Sequence, residues 1–541
     1  MKFAGQGSPR YDSRAMTAPI RAELELGDLQ GGILSAYGKQ GFPKARFLVF
    51  HVNDGAGGRA FVEALRPAVT TALRWPSSKG ISTGAVEVPR PECTLNIAFT
   101  FFGLLALGVP TRTLRGMPDE YIDGMAMRGP ILGDDVLDNS FEHWDRIWQP
   151  GQPRAHILVM LNARADGFGN AVPEMASATA TVLAAAANAG VSLLEGHAGP
   201  EPRWQDLSAI FAEQPDGTKK ALPTEHFGFV DAIGDPVFEG QYPGGEETVR
   251  AVGQGAMDGK GAWRPIATGE FILGWPDEAQ EVAGGAMPLD FSRNGSFFAY
   301  RKLHQHVELW DQWVDARAQE LAATWGISEP EEARQLLKAK MAGRWQDGVP
   351  LSQAPTYAEW QAFNAKYPYG SREWIDAATS FGFADDIDGA KCPITSHIRR
   401  ANTRDMLDPL WDTNERMGSA LNNRRRILRR GLPYGDRASE THDHGIVLLA
   451  HCANLFRQFE FVQQQWMNYG LDFNAGNDAC PVVGTHGPGA RFVIAGDTKA
   501  GKPPFIASGL PQFVSTRGGD YFFAPSMTAL RMLAQGVVDP T

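Results

Sequence analysis

Short apolar runs rich in β-branched and aromatic residues recur along this chain with helical segments between them, and this alternation limits the folds it can adopt. Lys44–Val52, Ile97–Phe102 and Ala155–Leu161 each have the length and the residues of a buried strand. The alanine-rich stretch Pro173–Asn188 predicts a helix, because proline stands at its start and Gly190 just past its end. Strand–helix–strand units with extra strands between them indicate an α+β sandwich of ferredoxin-like type.

The second half of the chain shows the same order of elements without a visible sequence repeat. Strands are predicted at Glu270–Leu273, Ser296–Tyr300 and Gly445–His451, and helices at Val307–Trp325 and Leu455–Met467. Residues 329–390 are richer in charge, proline and glycine, which indicates helices and loops packed outside a sheet. Periodicity alone therefore predicts the α+β class for the whole chain.

Composition and charge exclude several classes of protein. With 541 residues, 43% of them hydrophobic and 21% charged, the chain can bury a proper core and has room for more than one domain. Its net charge of −11 argues against a nucleic-acid partner, which would require a basic face. The most apolar stretch, Leu95–Val109, contains Asn96 and Thr100 and is shorter than the about 20 residues that a bilayer span needs. We therefore expect no association with a membrane.

The cysteines favour a reducing compartment. The four of them, at positions 93, 392, 452 and 480, show no C-x-x-C spacing and are too few and too scattered for a disulfide framework. The N-terminus shows no long apolar leader segment, and Arg10 and Arg14 are not a twin-arginine pair. A cytoplasmic location is the expectation.

The stretch Cys392–Asp405 holds one imidazole, that of His397, among three arginines, two of which are Arg399 and Arg404. An imidazole is the usual proximal ligand of haem iron, and flanking arginines suit the carboxylates that haem carries as propionates. Taken alone, such a stretch is more typical of a surface histidine at the start of a basic helix.

Two further segments favour the haem interpretation. Asp231 lies in Glu225–Pro236, upstream of the histidine, and Arg429 begins the segment Arg429–Gly435 downstream of it. With His397 they resemble the dye-decolorizing peroxidases, whose marks are a distal aspartate in a G-x-x-D-G motif, a proximal histidine, and a distal arginine ahead of a G-x-P-Tyr/Phe-G turn. Five flanking segments resemble the family in the same order: Leu29–Leu34, Gly269–Trp275, Asn294–Phe297, Arg457–Gln463 and Arg517–Phe523.

The resemblance implies a fold of two ferredoxin-like modules, with antiparallel sheets and helices packed outside them. A flexible tail over residues 1–22 would precede an N-terminal module over residues 23–220 and a haem-binding C-terminal module over residues 221–541. One haem b per chain is expected, held without covalent bonds because the sequence C-x-x-C-H is absent. An oligomer is compatible with the resemblance.

The resemblance also implies roles for single residues. His397 would be the axial ligand of the haem iron, and Asp231 would move a proton between the two oxygens of hydrogen peroxide. Arg429 would stabilise the negative charge that develops on the leaving oxygen. Arg399 and Arg404 are expected to contact the haem. Dyes, phenols or similar one-electron donors are the expected reducing substrates.

Some details of the site stay open. Ala232 replaces the last glycine of the aspartate motif, which costs nothing in a helix and strains a position with positive φ. The resemblance implies that a buried acidic or amide group accepts a hydrogen bond from the second nitrogen of the axial imidazole; the sequence does not place this group, and Asn454 and Glu460 are only candidates for it. Within residues 424–430, Arg429 is expected to turn inward while the other arginines stay solvated.

Two rival functions keep the same fold. The protein could carry or store haem without useful turnover, for which Ala232 is the only support in the sequence, or it could release iron from haem. His226, five residues before Asp231, is an alternative distal residue, but its apolar neighbours favour a structural role.

Overall fold

The computed structural model of the chain describes residues 23–76, 87–231, 233–257, 262–407, 420–439, 442–497 and 500–538. The predicted tail over residues 1–22 and Ala232 of the aspartate motif lie outside the described residues. The strands are β1 (Lys44–Val52), β2 (Cys93–Phe99), β3 (Ile157–Ala163), β4 (Val191–Leu193), β5 (Gln205–Ser208), β6 (Phe211–Glu213), β7 (Lys219–Ala221), β8 (Ala256–Met257), β9 (Trp263–Arg264), β10 (Ser296–Gln305), β11 (Leu428–Tyr434), β12 (Gly445–Cys452), β13 (Arg491–Ile494), β14 (Phe505–Ser508) and β15 (Val514–Ala524).

One antiparallel sheet runs through the molecule. Its strand order is β11-β12-β10-β15-β2-β3-β1-β4, and β5 also pairs with β1. The strands of the first half and those of the second half meet where Phe523 of β15 pairs with Phe99 of β2. The predicted α+β class, with antiparallel strands and helices packed outside them, is confirmed. The division of the chain into modules at residue 220 stays a prediction.

Helices cover this sheet. They are α1 (Gly31–Leu34), α2 (Gly55–Leu65), α3 (Phe101–Ala106), α4 (Thr111–Leu114), α5 (Asp119–Asp123), α6 (Gly129–Leu132), α7 (Pro173–Ala189), α8 (Glu246–Arg250), α9 (Leu289–Ser292), α10 (Val307–Trp325), α11 (Pro330–Ala342), α12 (Tyr357–Lys366), α13 (Arg372–Thr379), α14 (His397–Ala401), α15 (Ala420–Asn423) and α16 (Met527–Gln535). In the described part of the chain, no helix combines the length and the apolar character that crossing a bilayer requires.

Local sequence signals account for several of these boundaries. The helix α7 starts at Pro173 and ends at Gly190, whose φ of 63° is left-handed, as the sequence predicts. The helix α2 starts at Asp54, whose carboxylate accepts a hydrogen bond from the Gly57 amide at 2.8 Å. The strand predicted at Ile97–Phe102 ends earlier, at Phe99, because the next residue caps α3.

Two predicted elements differ from the structure. The strand prediction for Glu270–Leu273 is wrong, because the short 3-10 helix Thr268–Glu270 and a turn occupy this stretch. Its apolar side chains are fully buried, so the run satisfies a core without pairing, and Gly274 turns the chain with a φ of 81°. The helix predicted at Leu455–Met467 is present but is wound as two successive π-helices, here called the π segment (Phe456–Glu460 and Val462–Met467).

The core fills the space between the sheet and its helices. Large side chains such as Phe47, Phe50, Phe298 and Phe522 are fully or almost fully buried. Burying one such side chain stabilises the fold by about 1.5–3 kcal/mol. Separate apolar clusters lie against α10 and around Trp345. The buried side chains of β10, β11 and β12, such as Phe297, Leu428 and Val447, belong to the main core.

Candidate functional site

A cavity of about 730 Å³ opens above the strands β10, β11 and β12. This volume lies within the range of about 300–1,000 Å³ that is typical of sites for small molecules and cofactors. The sheet contributes Leu303, Ile446 and Leu448 to the wall, while the opposite wall includes Ile398 of α14 and Met467 of the π segment. The walls are therefore largely apolar, and their polar groups belong to a small number of residue types.

His397 is the first residue of α14 and lines this cavity. Burial, and to a lesser degree the guanidinium of Arg429, lowers the pKa of the imidazole to about 4, while Asp231 opposes the shift. The ring is therefore neutral at neutral pH, which is the form that coordinates a metal. Its Nδ1 atom lies 3.5 Å from the sulfur of Cys480. Among the described residues, its Nε2 atom has no hydrogen-bond partner.

Asp231 and Arg429 form an ion pair at the same cavity. Arg429 projects from β11, and its Nη1 donates a hydrogen bond to Oδ1 of Asp231 at 3.0 Å. The Nε atom of Arg429 lies 4.0 Å from a carboxylate oxygen of Asp235. Burial alone would lower the pKa of Arg429, but the two carboxylates outweigh it and the pKa is raised. The structure thus brings three residues that are far apart in the sequence to one cavity, a carboxylate, a fixed cation and a neutral imidazole.

The cavity carries an excess of positive charge. Of the residues that the structure describes, seven arginines line it, against the two carboxylates of Glu225 and Asp231: Arg301, Arg344, Arg404, Arg425, Arg426, Arg429 and Arg430. Burial, followed by repulsion from Arg429, lowers the pKa of Arg344 to about 10. Burial also lowers the pKa of Arg404 well below its usual value, and the neighbouring guanidinium groups of Arg344 and Arg426 lower it further. A ligand with carboxylate groups would relieve this repulsion.

The two arginines predicted to contact haem lie in different environments. Arg404 lines the cavity and donates hydrogen bonds to the carbonyl oxygens of Phe381, at 2.8 Å, and Gly253, at 3.2 Å. Arg399 does not line the cavity. Its buried guanidinium donates to a carboxylate oxygen of Asp386 at 3.0 Å and to the carbonyl oxygen of Cys392 at 2.6 Å. The structure therefore brings Arg404 to the site and leaves Arg399 within the fold.

The basic run at residues 424–430 is less exposed than expected. The prediction that Arg429 alone turns inward is wrong, since Arg426 and Arg430 are only 6% and 9% exposed and also line the cavity. Arg430 donates to the carbonyl oxygen of Ile33 at 2.9 Å, which ties β11 to the N-terminal part of the fold. The run therefore contributes both to the cavity wall and to contacts within the fold. The charges in the sequence do not show by themselves which of its side chains face the cavity.

Neither candidate partner of the axial imidazole has a hydrogen bond with His397 among the described residues. Glu460 accepts hydrogen bonds from Arg128, at 2.7 Å, and from the hydroxyl of Tyr521, at 2.7 Å. Asn454 accepts from the backbone amide of Arg457 at 2.8 Å and so caps the π segment. The thiol of Cys480 takes the place expected for these side chains. A lone cysteine 83 residues from the histidine carries no local sequence signal for this contact.

His226 is not part of the cavity wall. Its Nε2 atom lies 2.9 Å from the carbonyl oxygen of Tyr434, so the ring connects the aspartate segment to the end of β11. Glu225, which no sequence argument singled out, lines the cavity and accepts hydrogen bonds from the amides of Phe227 and Phe229 at 2.8 Å. Both residues hold the loop that presents Asp231.

Comparisons with known proteins agree on one family. A family model described as Dyp-type peroxidase, C-terminal, matches residues 280–478. Peroxidase 2 of Mycetinis scorodonius is 25% identical over 96% of this chain and 89% of its own length. The dye-decolorizing peroxidase of Exidia glandulosa is 28% identical over 94% of this chain and 87% of its own length. The multifunctional dye peroxidase DyP2 of an Amycolatopsis strain is 29% identical over 57% of this chain and 61% of its own length.

Solved structures show the same fold. The crystal structure of a decolorizing peroxidase from Auricularia auricula-judae superposes with a TM-score of 0.68 at 23% identity, covering 94% of this chain and all of that one. A dye-decolorizing peroxidase in complex with 2,6-dimethoxyphenol superposes with a TM-score of 0.67 at 22% identity, again over 94% of this chain and all of that one. The shared architecture therefore extends over most of the chain and is not limited to one segment.

Proposed function

Because the chain is similar to dye-decolorizing peroxidases over almost its whole length, we propose that it is a haem-dependent enzyme that reduces hydrogen peroxide and oxidises dyes, phenols or similar one-electron donors. The observation that carries the proposal is the grouping of His397 and the Asp231–Arg429 pair at one cavity. A phenol as reducing substrate is supported by the structural neighbour that was solved with 2,6-dimethoxyphenol.

The volume, the apolar walls and the charge of the cavity support a haem as its ligand. The apolar walls suit the porphyrin faces, and the excess of arginines suits the two propionate carboxylates. The neutral imidazole of His397 supplies a nitrogen that points to no other partner among the described residues. Since the sequence lacks C-x-x-C-H, we propose haem b held without covalent bonds. Arg344, Arg404 and Arg426 would hold its carboxylates. When bound, haem would supply an iron centre that takes up peroxide and receives electrons from the donor.

Asp231 would carry the proton that the reaction moves. A carboxylate beside bound peroxide can take a proton from one oxygen and return it to the other, which then leaves as water. Its side chain is 49% exposed, so the proton can also exchange with water that enters the cavity. The hydrogen bond from Arg429 fixes the direction in which the carboxylate points.

Arg429 would supply a preorganised positive charge. A guanidinium is permanently cationic and cannot act as a base, so it stabilises negative charge on the departing oxygen without competing for the proton. Its raised pKa reinforces this assignment. The two side chains therefore divide proton transfer and charge stabilisation between them.

Turnover separates this proposal from the two rival functions. The purified haem-loaded protein is expected to oxidise a phenol in proportion to added hydrogen peroxide, over many cycles per chain. A carrier would hold haem without such turnover, and an iron-releasing protein would yield free porphyrin. Product analysis that shows metal-free porphyrin in place of oxidised phenol would overturn the proposal.

We also propose that the protein is located in the cytoplasm. The structure contains four free cysteines, of which three are buried, and this is consistent with a reducing environment such as the cytoplasm. Recovery of the protein from a cell fraction outside the cytoplasm would contradict this assignment.

A further inference from the structure

The side of the His397 ring that faces away from the cavity is held by a thiol. Its Nδ1 atom lies 3.5 Å from the sulfur of Cys480, within the range of a hydrogen bond to sulfur. Within the described part of the chain this is the ring's hydrogen-bond contact, and no carboxylate lies at ion-pair distance from it. When Nε2 is the ligand atom, Nδ1 carries a hydrogen and donates it to the sulfur.

Three carboxylates, those of Asp386, Asp472 and Glu460, have partners other than the imidazole of His397. Asp386 pairs with Arg399 at 3.0 Å, and Asp472 accepts a hydrogen bond from the indole of Trp466 at 3.1 Å. Glu460 pairs with Arg128 at 2.7 Å. Among the described residues, the sulfur of Cys480 is therefore the acceptor that faces Nδ1 of His397.

The backbone and its surroundings fix the position of the sulfur. The amide of Cys480 donates to the carbonyl oxygen of Met467 at 2.7 Å, and its own carbonyl oxygen lies 2.8 Å from Nε2 of His486. The side chain is fully buried in an apolar cluster with Val462, Trp466 and Phe473. A sulfur held this firmly can set the orientation of a ring that donates to it.

The group that accepts the hydrogen bond from Nδ1 of His397 affects the electron density on the imidazole. A histidine that binds a metal usually donates its second N–H to a carboxylate, a carbonyl or a water, and such a partner orients the ring and raises its basicity. A thiol sulfur is uncharged and accepts hydrogen bonds weakly. It can therefore orient the ring while adding little electron density to it.

We propose that Cys480 is the positioning residue of His397, and that its uncharged sulfur keeps the axial imidazole weakly basic, so that the haem iron has a higher reduction potential than a carboxylate partner would give. This inference rests on the proposed function, since it assumes that His397 binds haem iron. It assigns a role in tuning the cofactor to a side chain that touches neither peroxide nor donor.

The experiment uses the full-length, haem-loaded protein with three substitutions, Cys480→Asp, Cys480→Ser and Cys480→Ala. The matched control is Cys452→Ser, which changes another fully buried free cysteine, on β12, that does not line the cavity. Two quantities are measured, the Fe(III)/Fe(II) midpoint potential by spectroelectrochemical titration and the iron–imidazole stretching frequency of the reduced protein by resonance Raman spectroscopy.

We expect the Fe(III)/Fe(II) midpoint potential to fall as the side chain at position 480 becomes a stronger hydrogen-bond acceptor. Cys480→Asp should shift the equilibrium toward Fe(III) by at least about tenfold, which is about 59 mV for a one-electron couple, and should raise the stretching frequency. Cys480→Ser should shift both quantities in the same direction by less. Cys480→Ala should leave the potential at or above the wild-type value and broaden the Raman band, because the ring loses its partner. The control should match the wild type.

Equal potentials and equal stretching frequencies in all variants would overturn the role of Cys480. If Cys480→Asp does not fold, the comparison of serine with alanine decides, and a serine variant whose potential is not below that of the alanine variant overturns the inference. Failure of the proposed function is a different result, because the wild-type protein would then take up no haem, or would hold haem without oxidising a phenol, before any variant is measured.

Discussion

At the scale of single residues, the hydrogen bond from Arg429 to Asp231 places a fixed positive charge beside the carboxylate that would move protons. The pair spans 198 positions in the sequence, and the loop after Glu225 and the strand β11 must both be in place to form it. In the proposed function, Asp231 would transfer the proton and Arg429 would stabilise the charge.

Replacing Asp231 with asparagine should therefore remove proton transfer and leave the cofactor bound. We expect Asp231→Asn to lower kcat/KM for hydrogen peroxide by about 10²–10⁴-fold, the usual contribution of a positioned acid–base group. Steady-state oxidation of a phenol measures this rate, and the haem absorption band per chain measures cofactor content. Asp290→Asn, at an exposed position on α9, is the control. A variant that kept the full rate would show that Asp231 is not the acid–base group.

At the scale of secondary-structure elements, β11 carries Arg429 on an edge strand that is held tightly against β12. Gly431 lies in this strand with a φ of 109°, and a Cβ atom there would lie 1.9 Å from the carbonyl oxygen of Val447. A side chain at this position must therefore push the two strands apart.

Gly431→Ala is expected to lower both stability and activity. The clash adds to the cost of a left-handed alanine, so the loss should exceed the about 1 kcal/mol typical of glycine replacement alone. Gly217→Ala is the matched control, because its φ of 79° is also positive and no atom lies within 4 Å of the added Cβ. Thermal unfolding of both variants gives the comparison. Equal melting temperatures would contradict the tight packing of β11.

The loop that presents Asp231 is tied to β11 by a buried histidine, and this contact makes a prediction about pH. Burial lowers the pKa of His226 to about 4, so between pH 6.5 and 4 the unfolded chain binds the proton more readily than the folded one. The stability that His226 contributes is thus complete above pH 6.5 and is lost as the pH falls through 4. By this linkage it amounts to at most about 3 kcal/mol.

His226→Gln should remove this pH dependence, because glutamine can donate to the Tyr434 carbonyl but does not titrate. Urea unfolding at several pH values between 7 and 4 would show a smaller loss of unfolding free energy in the variant than in the wild type. Parallel curves for the two proteins would mean that His226 is charged in the folded state or does not titrate in this range.

At the scale of the whole molecule, the cavity concentrates buried arginines that repel one another, and a ligand with carboxylates should stabilise the entire fold. Removal of haem is expected to lower the melting temperature, since a ligand that binds only the folded state stabilises it by about 4 kcal/mol at a thousandfold excess over Kd. Iron-free protoporphyrin, which has the carboxylates but offers no iron to His397, should restore part of this shift. Differential scanning calorimetry that finds identical melting temperatures with and without haem would contradict the proposed charge balance.

The sequence predicts the architecture better than the details of the site. The helix at Pro173–Ala189 and the strands at Lys44–Val52 and Gly445–Cys452 follow from local periodicity and capping, which require no tertiary information. The structure of Glu270–Leu273 does not follow from periodicity, because a short buried run has the same composition whether it pairs with another strand or turns inside the core. The order of the three motifs along the chain was enough to select His397, which lines the cavity in the structure.

The contacts around the ligand depend on long-range packing and could not be predicted in the same way. Arg399 and Arg404 are only five positions apart, yet Arg399 pairs with Asp386 in the core and Arg404 lines the cavity. The thiol of Cys480 reaches the histidine only through the packing of the π segment. Such partners are determined by the tertiary structure and leave no mark in a local pattern.

The identity of the axial ligand is the central claim, and one spectrum tests it most directly. Wild-type protein and His397→Ala are each mixed with hemin, freed of excess, and measured by visible absorption with and without added imidazole. We predict one haem per chain in the wild type, loss of the wild-type absorption band in the variant, and its recovery when free imidazole occupies the space of the missing side chain. A wild type that binds no haem, or a variant with an unchanged spectrum, would contradict the account.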